Sequence, residues 1–267
     1  IGFRLSIEMR QSRYFLESVQ THYLAAAGLT KALDCIAADK KAYDTLYLCG
    51  IDPPVDKTPE AVFKEIKLGE GGFTVGYGDG GNFFAGFSDE DRKINLNTAS
   101  PEVLKRLPQM SEEIVAAILD WRDADDIEQM SFGGAESGYY DSLTHPYPIR
   151  NGPLVILEEL RLVKGVTDEV YNAVKDYLTV YGAGKININT APKPVLVALG
   201  MSDSLADKLI AYRNGNDGKP GTADDNVFSD ANQLNVSGLT PAENAQFSSL
   251  KNTFKISSSY FRIESQG

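Results

Sequence analysis

Lys93-Ile-Asn-Leu-Asn-Thr-Ala99 and Lys185-Ile-Asn-Ile-Asn-Thr-Ala191 are two copies of one stretch of sequence. The likeness continues over about thirty residues, with one residue gained or lost midway, which is too specific for chance. The matching pairs downstream include Val103/Val195, Leu104/Leu196, Leu107/Leu199, Met110/Met201, Ser111/Ser202, Trp121/Tyr212 and Arg122/Arg213. The sequence therefore predicts a duplicated unit, over about residues 93–123 and 185–214.

Each copy has the pattern of a short strand followed by two helices. Aliphatic residues alternate with asparagines in the lead-in, which is typical of a half-buried strand. Thr98 and Thr190 then stand where a helix begins, and their hydroxyls can accept from N–H groups of the first turn. Apolar residues at helical spacing follow and predict a buried face on each helix.

This pattern resembles the helix-hairpin-helix repeat, whose DNA-binding members offer the N–H groups of a glycine-rich hairpin to a phosphate. The hairpins here, Pro108-Gln-Met110 and Gly200-Met-Ser202, lack that Gly-x-Gly element. With 37 acidic and 26 basic residues the net charge is −11, which repels a polyanion. We expect a scaffold that does not bind nucleic acid; the alternative is a helix-hairpin-helix module that binds nucleic acid or peptide.

A long amphipathic helix is predicted over residues 11–38. Seven positions at spacings of three and four form one apolar stripe that is interrupted by a threonine: Leu16, Val19, Tyr23, Ala26, Thr30, Leu33 and Ala37. We interpret this stripe as the face of a core helix. The chain begins without methionine, which indicates a longer precursor in which the helix could continue a membrane helix.

The segments around the duplication predict a small antiparallel sheet. Phe73–Tyr77 and Asn82–Phe87 flank Gly78-Asp-Gly-Gly81 and form a hairpin signal. Other predicted elements are a helix over Ala61–Leu68, a strand from Asp91 through Ile94–Asn97, a helix over Pro241–Leu250 and a last strand over Thr253–Ile263. The apolar residues of the last strand change parity, which suggests a bulge or a strand covered on both faces.

These elements predict an α+β fold in two parts. Residues 1–97 and 251–267 form a unit in which the long helix packs on the sheet, and residues 98–250 form an inserted helical domain that contains both repeats. The two cysteines, Cys35 and Cys49, are too few for a metal site. We predict that they form a disulfide in an oxidising compartment; two separate buried thiols are the alternative.

The order of features is similar to that of the general secretion pathway protein K family, the large minor pseudopilins of type II secretion systems. Besides the long helix, the Phe-Thr-Val strand and the repeat, the likeness rests on Asp120-Trp-Arg-Asp-Ala-Asp-Asp126, Gly133-Gly-Ala-Glu136, Tyr139-Tyr140, Pro146-Tyr147, Glu159-Leu160, Gly165-Val166 and Phe254–Ile263. The resemblance implies a pilin-like fold with a large inserted helical domain.

The resemblance also implies a function and partners. Members of this family are non-enzymatic subunits that cap a periplasmic pseudopilus, prime its assembly with the minor pseudopilins I and J, and face the exported protein. An inner-membrane helix would precede this chain. We expect the exposed part of the long helix to carry apolar residues that are covered only in the assembly, and we assign Leu16, Val19 and Tyr23 to this partner interface.

Two carboxylate-rich loops follow the repeats. The second offers oxygen donors between glycines and prolines, which can converge on one Ca²⁺, although it lacks the EF-hand spacing: Asn214, Asp217, Asp224, Asp225 and Asp230. The first is weaker by spacing and offers Asp123, Asp125, Asp126 and Glu136. Solvated surface is the alternative for both loops. The resemblance adds weight to a structural calcium, because family members can bind calcium in the inserted domain.

No motif in the sequence indicates catalysis. The two histidines, His22 and His145, lie near no candidate nucleophile in sequence, and no Gly-x-Ser-x-Gly, His-Glu-x-x-His or Walker pattern occurs. A formal Gly-x-Gly-x-x-Gly match at Gly76, Gly78 and Gly81 is rejected as a dinucleotide site, because a second strand and not a helix is predicted after it. We therefore expect no enzyme and assign no catalytic residue.

Overall fold

A computed structural model describes residues 2–52, 57–79, 81–128, 133–231 and 236–267, with residues 2–6 described by their backbone alone. The α-helices are α1 (Gly2–Ala38), α2 (Pro59–Phe63), α3 (Pro101–Lys105), α4 (Glu112–Arg122), α5 (Ser137–Asp141), α6 (Asp168–Val174), α7 (Lys193–Ala198), α8 (Asp203–Arg213) and α9 (Pro241–Leu250). The strands are β1 (Ile66–Leu68), β2 (Gly71–Asp79), β3 (Asn82–Ala85), β4 (Ser88–Asp89), β5 (Ile94–Asn95), β6 (Leu178–Thr179), β7 (Ile186–Asn187), β8 (Phe254–Lys255), β9 (Phe261–Arg262) and β10 (Ser265–Gln266). Short 3₁₀ helices cover Glu90–Arg92, Leu157–Leu162 and Lys251–Thr253.

The central sheet is antiparallel and is built around β2. Strand β1 pairs with its first residues, β10 pairs with its middle, and β3 forms the predicted hairpin with its end. The long helix α1 packs on β2 and β10. The early hairpin, the end of the chain and the long helix therefore meet as the sequence predicted, and the α+β fold is confirmed.

Three predicted elements differ in the structure. The helix predicted over Ala61–Leu68 ends at Phe63, because Glu65 takes a left-handed φ of 53° and the next residues pair with β2 as β1. The third strand is reduced to β5, preceded by a 3₁₀ turn, and it pairs in parallel with β6 rather than with the central sheet.

The last predicted strand is divided into short pieces. Strand β8 pairs in parallel with β7, whereas β9 pairs antiparallel with β4. Between them the backbone N–H groups of Ser258 and Ser259 donate to carboxylates and not to a neighbouring strand. The change of parity in the sequence marks this break, because Phe254 packs in one hydrophobic cluster and Phe261 against another.

The core of α1 lies on a different face from the predicted one. Leu16, Val19, Tyr23, Ala26, Thr30, Leu33 and Ala37 are all exposed. The buried positions are Gly28 and Ala32, where small residues let the helix approach the sheet closely. A Cβ on Gly28 would lie 2.9 Å from the ring of Phe73, so the close contact with β2 decides which face is buried.

Two clusters of buried apolar side chains form the core. The smaller contains Ala32, Phe63, Val75 and Phe87 and lies between α1 and the sheet. The larger runs from Ile94 to Phe254 and includes both repeats. The predicted domain boundaries at 97/98 and 250/251 stay a prediction. Among the described residues no helix is both long and apolar enough to cross a lipid bilayer.

Candidate metal centre

The asparagines of each lead-in hold the loop that follows their repeat. The side chain of Asn97 pairs with the backbone of Leu154, donating to its oxygen at 3.0 Å and accepting from its nitrogen at 2.8 Å. Asn189 makes the same pair with Phe228, at 3.1 Å and 2.8 Å. An amide side chain that mimics a strand partner therefore fixes the far end of both loops.

An arginine fixes the near end of each loop. Arg122, the last residue of α4, donates to the carbonyl oxygens of Leu96 and Ala99. Arg213, the last residue of α8, donates in the same way to two carbonyls of the second lead-in, Ile188 and Ala191, at 2.8 Å each. Each carboxylate-rich loop thus begins just after an arginine, and its far end is bound by the side chain of an asparagine. The duplication explains why two such loops exist.

Three carboxylates meet at the start of the first loop. Asp120 and Asp123 lie at the end of α4, and Glu136 lies just before α5, with one oxygen from each within 4.8 Å of the others. Asp120 accepts a hydrogen bond from the backbone N–H of Ala135 at 2.7 Å, which brings Glu136 back toward the helix. Oxygens that bind one Ca²⁺ at about 2.4 Å are separated by at most about 4.8 Å, so this spacing fits one ion.

The electrostatics of the cluster favour a cation. Asp120 is fully buried and Glu136 is 7% exposed. Both carboxylate oxygens of Glu136 and Oδ1 of Asp123 are buried without a hydrogen-bond partner among the described residues. Burial, followed by the negative charges of Asp120 and Asp123, raises the pKa of Glu136 to about 7. A bound divalent ion would supply the missing partner and remove the repulsion.

The other two predicted ligands of the first loop lie outside this cluster. Asp125 is exposed and accepts from the backbone N–H of Ile127 at 2.9 Å. Asp126 accepts from the hydroxyl and N–H of Ser137 at 2.8 Å and 3.1 Å, and these hydrogen bonds lower the pKa of its carboxyl. Both carboxylates stabilise the turn, and their negative charges add to the raised pKa of Glu136.

In the second loop the carboxylates hydrogen-bond to the loop's own backbone. Asp224 accepts from the N–H groups of residues 216 and 217 at 2.8 Å and 3.1 Å, and Asp225 accepts from the N–H of Gly221 at 2.8 Å. Asp217 accepts from residue 219, Asn214 donates to residue 218, and Asp230 is half-buried further on. Within the described residues this loop holds no group of three clustered carboxylates. Its calcium ligands stay a prediction, and the geometry favours the first loop.

Asp120 was not among the ligands predicted from the sequence. Its spacing of three residues from Asp123 places both carboxylates on one side of the end of α4, and this helical spacing is the signal that could have found it. Because Trp121 matches Tyr212, the position of Asp120 corresponds to Ala211 in the second repeat. The second repeat therefore lacks the carboxylate that, in the first repeat, links the end of the helix to the loop.

The hairpins between the repeat helices bond within the chain. The N–H of Met110 donates to Leu107 at 3.4 Å, and the N–H of Met201 donates to Leu196 at 3.1 Å. These backbone donors are therefore not directed at an external phosphate.

Comparison with known proteins identifies the family. Two models of the type II secretion system (T2SS) protein K family match the chain, over residues 93–183 and 186–249, which together are more than half of it. The chain belongs to the T2SS protein K family.

Members of this family from three bacteria are similar to parts of the chain. The putative type II secretion system protein K of Escherichia coli K12 is 37% identical over 79 residues, 30% of this chain and 24% of that protein. Protein K of Aeromonas hydrophila is 38% identical over 89 residues, 33% and 26% of the two chains. Protein K of Pectobacterium carotovorum is 35% identical over 111 residues, which are 39% of this chain and 33% of that protein. The matched segments span a third or less of each relative's length.

The fold is also that of a solved structure. A chain in the crystal structure of the GspK-GspI-GspJ complex from the type 2 secretion system of enterotoxigenic Escherichia coli superposes with a TM-score of 0.65. The match covers 96% of this chain and 88% of that chain at 19% sequence identity, so the likeness of fold extends over the helix and sheet that the family models do not cover.

The residues assigned to a partner interface lie on the exposed N-terminal half of α1, over residues 7–23. Leu16 is 66% exposed, Val19 37% and Tyr23 69%, and every described side chain from residue 7 to residue 23 is exposed. Apolar side chains are frequent on this half and also include Met9, Tyr14 and Phe15. The interface assignment stays a prediction that this exposure supports.

The two cysteines lie in the same part of the molecule. Cys49 is buried in the smaller hydrophobic cluster and Cys35, on α1, packs against it. Both are free thiols in the structure, and burial raises both pKa values, that of Cys49 strongly. The disulfide stays a prediction.

Proposed function

We propose that the chain is a non-enzymatic minor pseudopilin that caps the tip of the type II secretion pseudopilus. In this role it primes assembly together with the I and J pseudopilins for protein export. The observation that carries the proposal is the fold, which matches a chain of the GspK-GspI-GspJ complex over 96% of the present chain.

The exposed half of α1 supports an assembly role. A helix over residues 7–23 is about 25 Å long, and most of the stability of helices in proteins comes from packing of an apolar face. Its large apolar side chains at Phe15, Leu16 and Tyr23 are each more than 60% exposed. Partner helices that pack against this half would bury these side chains and stabilise the helix.

We further propose where the protein lies and what it faces. An inner-membrane helix upstream of the chain would anchor it, and the described residues would lie in the periplasm at the pseudopilus tip. The inserted helical region would then face the exported protein.

A structural Ca²⁺ is the second part of the proposal. Asp120, Asp123 and Glu136 supply hard oxygen donors that lie close together. Both oxygens of Glu136 and Oδ1 of Asp123 are buried without a hydrogen-bond partner among the described residues. The ion would hold α4 and the start of α5 together and so shape the first loop.

Light scattering on this chain mixed with the soluble domains of the I and J pseudopilins tests the assembly role. We expect a stable complex with one copy of each. Leu16→Glu should prevent it, because a carboxylate would be buried in an apolar helix interface. Val155→Glu, which changes a 58% exposed apolar residue of the inserted region, is the matched control and should leave the complex intact. A chain that stays monomeric with both partners, with and without calcium, contradicts the proposal.

A further inference from the structure

Buried carboxylates lie where the two hydrophobic clusters adjoin. Asp44, Asp89 and Asp91 are 4%, 1% and 3% exposed, and we call them the carboxylate junction. Asp44 lies in the loop after α1, and the other two lie in β4 and the 3₁₀ turn that follows it. Carboxylates this deeply buried require several donors, because unpaired buried charge is costly.

Asp89 receives donors from the second repeat. The hydroxyl of Thr190 donates to its Oδ2 at 2.6 Å, and the side-chain amide of Asn187 lies 3.1 Å from the same oxygen. The backbone N–H of Asp91 donates to Oδ1 at 2.7 Å. Asn187 and Thr190 are completely buried, so these bonds are shielded from water. One carboxylate of the helix-and-sheet unit thus holds the lead-in of the second repeat.

The other two carboxylates hold the segment that returns from the inserted region. The N–H of Ser258 donates to Asp44 at 2.7 Å, and the N–H of the next residue donates to Asp91 at 2.7 Å. Lys255 forms an ion pair with Asp91 at 2.5 Å. Asp44 also accepts from the N–H of Gly50 at 2.6 Å, within its own loop.

We propose that the carboxylate junction is a conformational lock that holds the inserted helical region at a fixed orientation on the helix-and-sheet unit. Asn187 and Thr190 of the inserted region donate to Asp89, and Asn187 also donates to the carbonyl oxygen of Asp44, so rotation of one part against the other breaks several buried hydrogen bonds at once. Apolar contacts alone would permit sliding, whereas these bonds have fixed lengths and directions. The lock makes the two clusters unfold as one unit.

The proposal is tested on the isolated chain and does not depend on the pseudopilus role. Urea unfolding is followed by the fluorescence of Trp121, the chain's one tryptophan, for the larger cluster, and by pulsed hydrogen exchange of residues 71–79 for the smaller. We expect coincident transitions in the unaltered chain and two separate transitions in Asp89→Asn. Asp176→Asn, the same chemical change at an exposed site, should leave them coincident.

A milder variant covers the case in which Asp89→Asn does not fold. Thr190→Val keeps the shape of the side chain and removes the hydroxyl donor to Asp89. We expect hydrogen exchange at Asp91 and Ser258 to become about tenfold faster, as for the loss of one hydrogen bond, with the fold retained. Unchanged exchange in Thr190→Val, or coincident transitions in a folded Asp89→Asn variant, would overturn the lock.

Discussion

At the scale of single residues, burial sets the chemistry of the acidic side chains. The chain has an excess of acidic residues, yet several of them are inside the fold. Asp224 and Glu243 accept several hydrogen bonds, beginning with those from Thr222 and Lys208, which lower their pKa values. For Asp44 and Glu136 the largest effect is burial, which raises the pKa of each carboxyl. Sequence alone cannot separate these two groups, because the depth of burial and the position of the donors in the folded chain decide between them.

Asp44 gives a pH prediction at this scale. Burial raises its pKa from 3.8 to about 6, although two backbone N–H groups oppose the shift. The folded state therefore binds this proton more tightly than the unfolded state, and the stabilisation is complete below 3.8 and is lost as pH rises through about 6. We expect the stability of the unaltered chain relative to Asp44→Asn to fall by about 2 kcal/mol between about pH 4.5 and about pH 7.5. Urea titrations of both chains measure it, and a difference that does not vary with pH contradicts the assignment.

At the scale of elements, α1 shows how sequence periodicity can be right about a helix and wrong about its core face. The apolar stripe through Leu16 and Leu33 has the regular spacing of a buried helix face, yet the stripe faces solvent. The sheet instead packs at Gly28 and Ala32, because small side chains allow the helix to approach the sheet most closely. A stripe that looks like core in one chain can belong to an interface between chains.

The close approach at Gly28 predicts an unusual substitution effect. Alanine is the better helix former by about 1 kcal/mol, so Gly28→Ala would stabilise an exposed helix. Here the new Cβ would lie 2.2 Å from Ser265 Oγ and 2.9 Å from the buried ring of Phe73. We expect a net destabilisation of up to about 2 kcal/mol, since overpacking costs about 1–3 kcal/mol and the gain in helix propensity offsets about 1 kcal/mol of it. Thermal unfolding measures it; Thr30→Ala, exposed on the same helix, is the control and should be neutral or slightly stabilising.

At the scale of the whole molecule, the repeat and the family order of features predicted the fold class. Repeated motifs carry their own contacts, and Asn97 and Arg122 act within one copy as Asn189 and Arg213 act in the other. The junction between the parts was not predictable, because it joins residues more than ninety positions apart, such as Asp89 and Asn187. The broken last strand followed from the same long-range bonds.

The candidate metal site was predicted only in part. The sequence pointed to the first loop through Asp123 and Glu136, which the structure brings together, but ranked it below the second. The ranking counted carboxylates and could not show which of them already accept hydrogen bonds from their own loop, as Asp224 and Asp225 do. It also left out Asp120, whose carboxylate the end of α4 presents to the loop.

Calcium links this site to the stability of the whole molecule. An ion that binds only the folded chain raises the free energy of unfolding by about 2.7 kcal/mol when its concentration is one hundred times its dissociation constant, so the melting temperature should rise steadily with added Ca²⁺. A chelator should reverse the rise. Asp120→Asn should abolish most of it, because that carboxylate also holds the N–H of Ala135 in place. Asp125→Asn should keep it, because Asp125 is exposed and bonded within its own turn. A calcium effect that survives Asp120→Asn and is lost in Asp224→Asn would instead place the ion in the second loop.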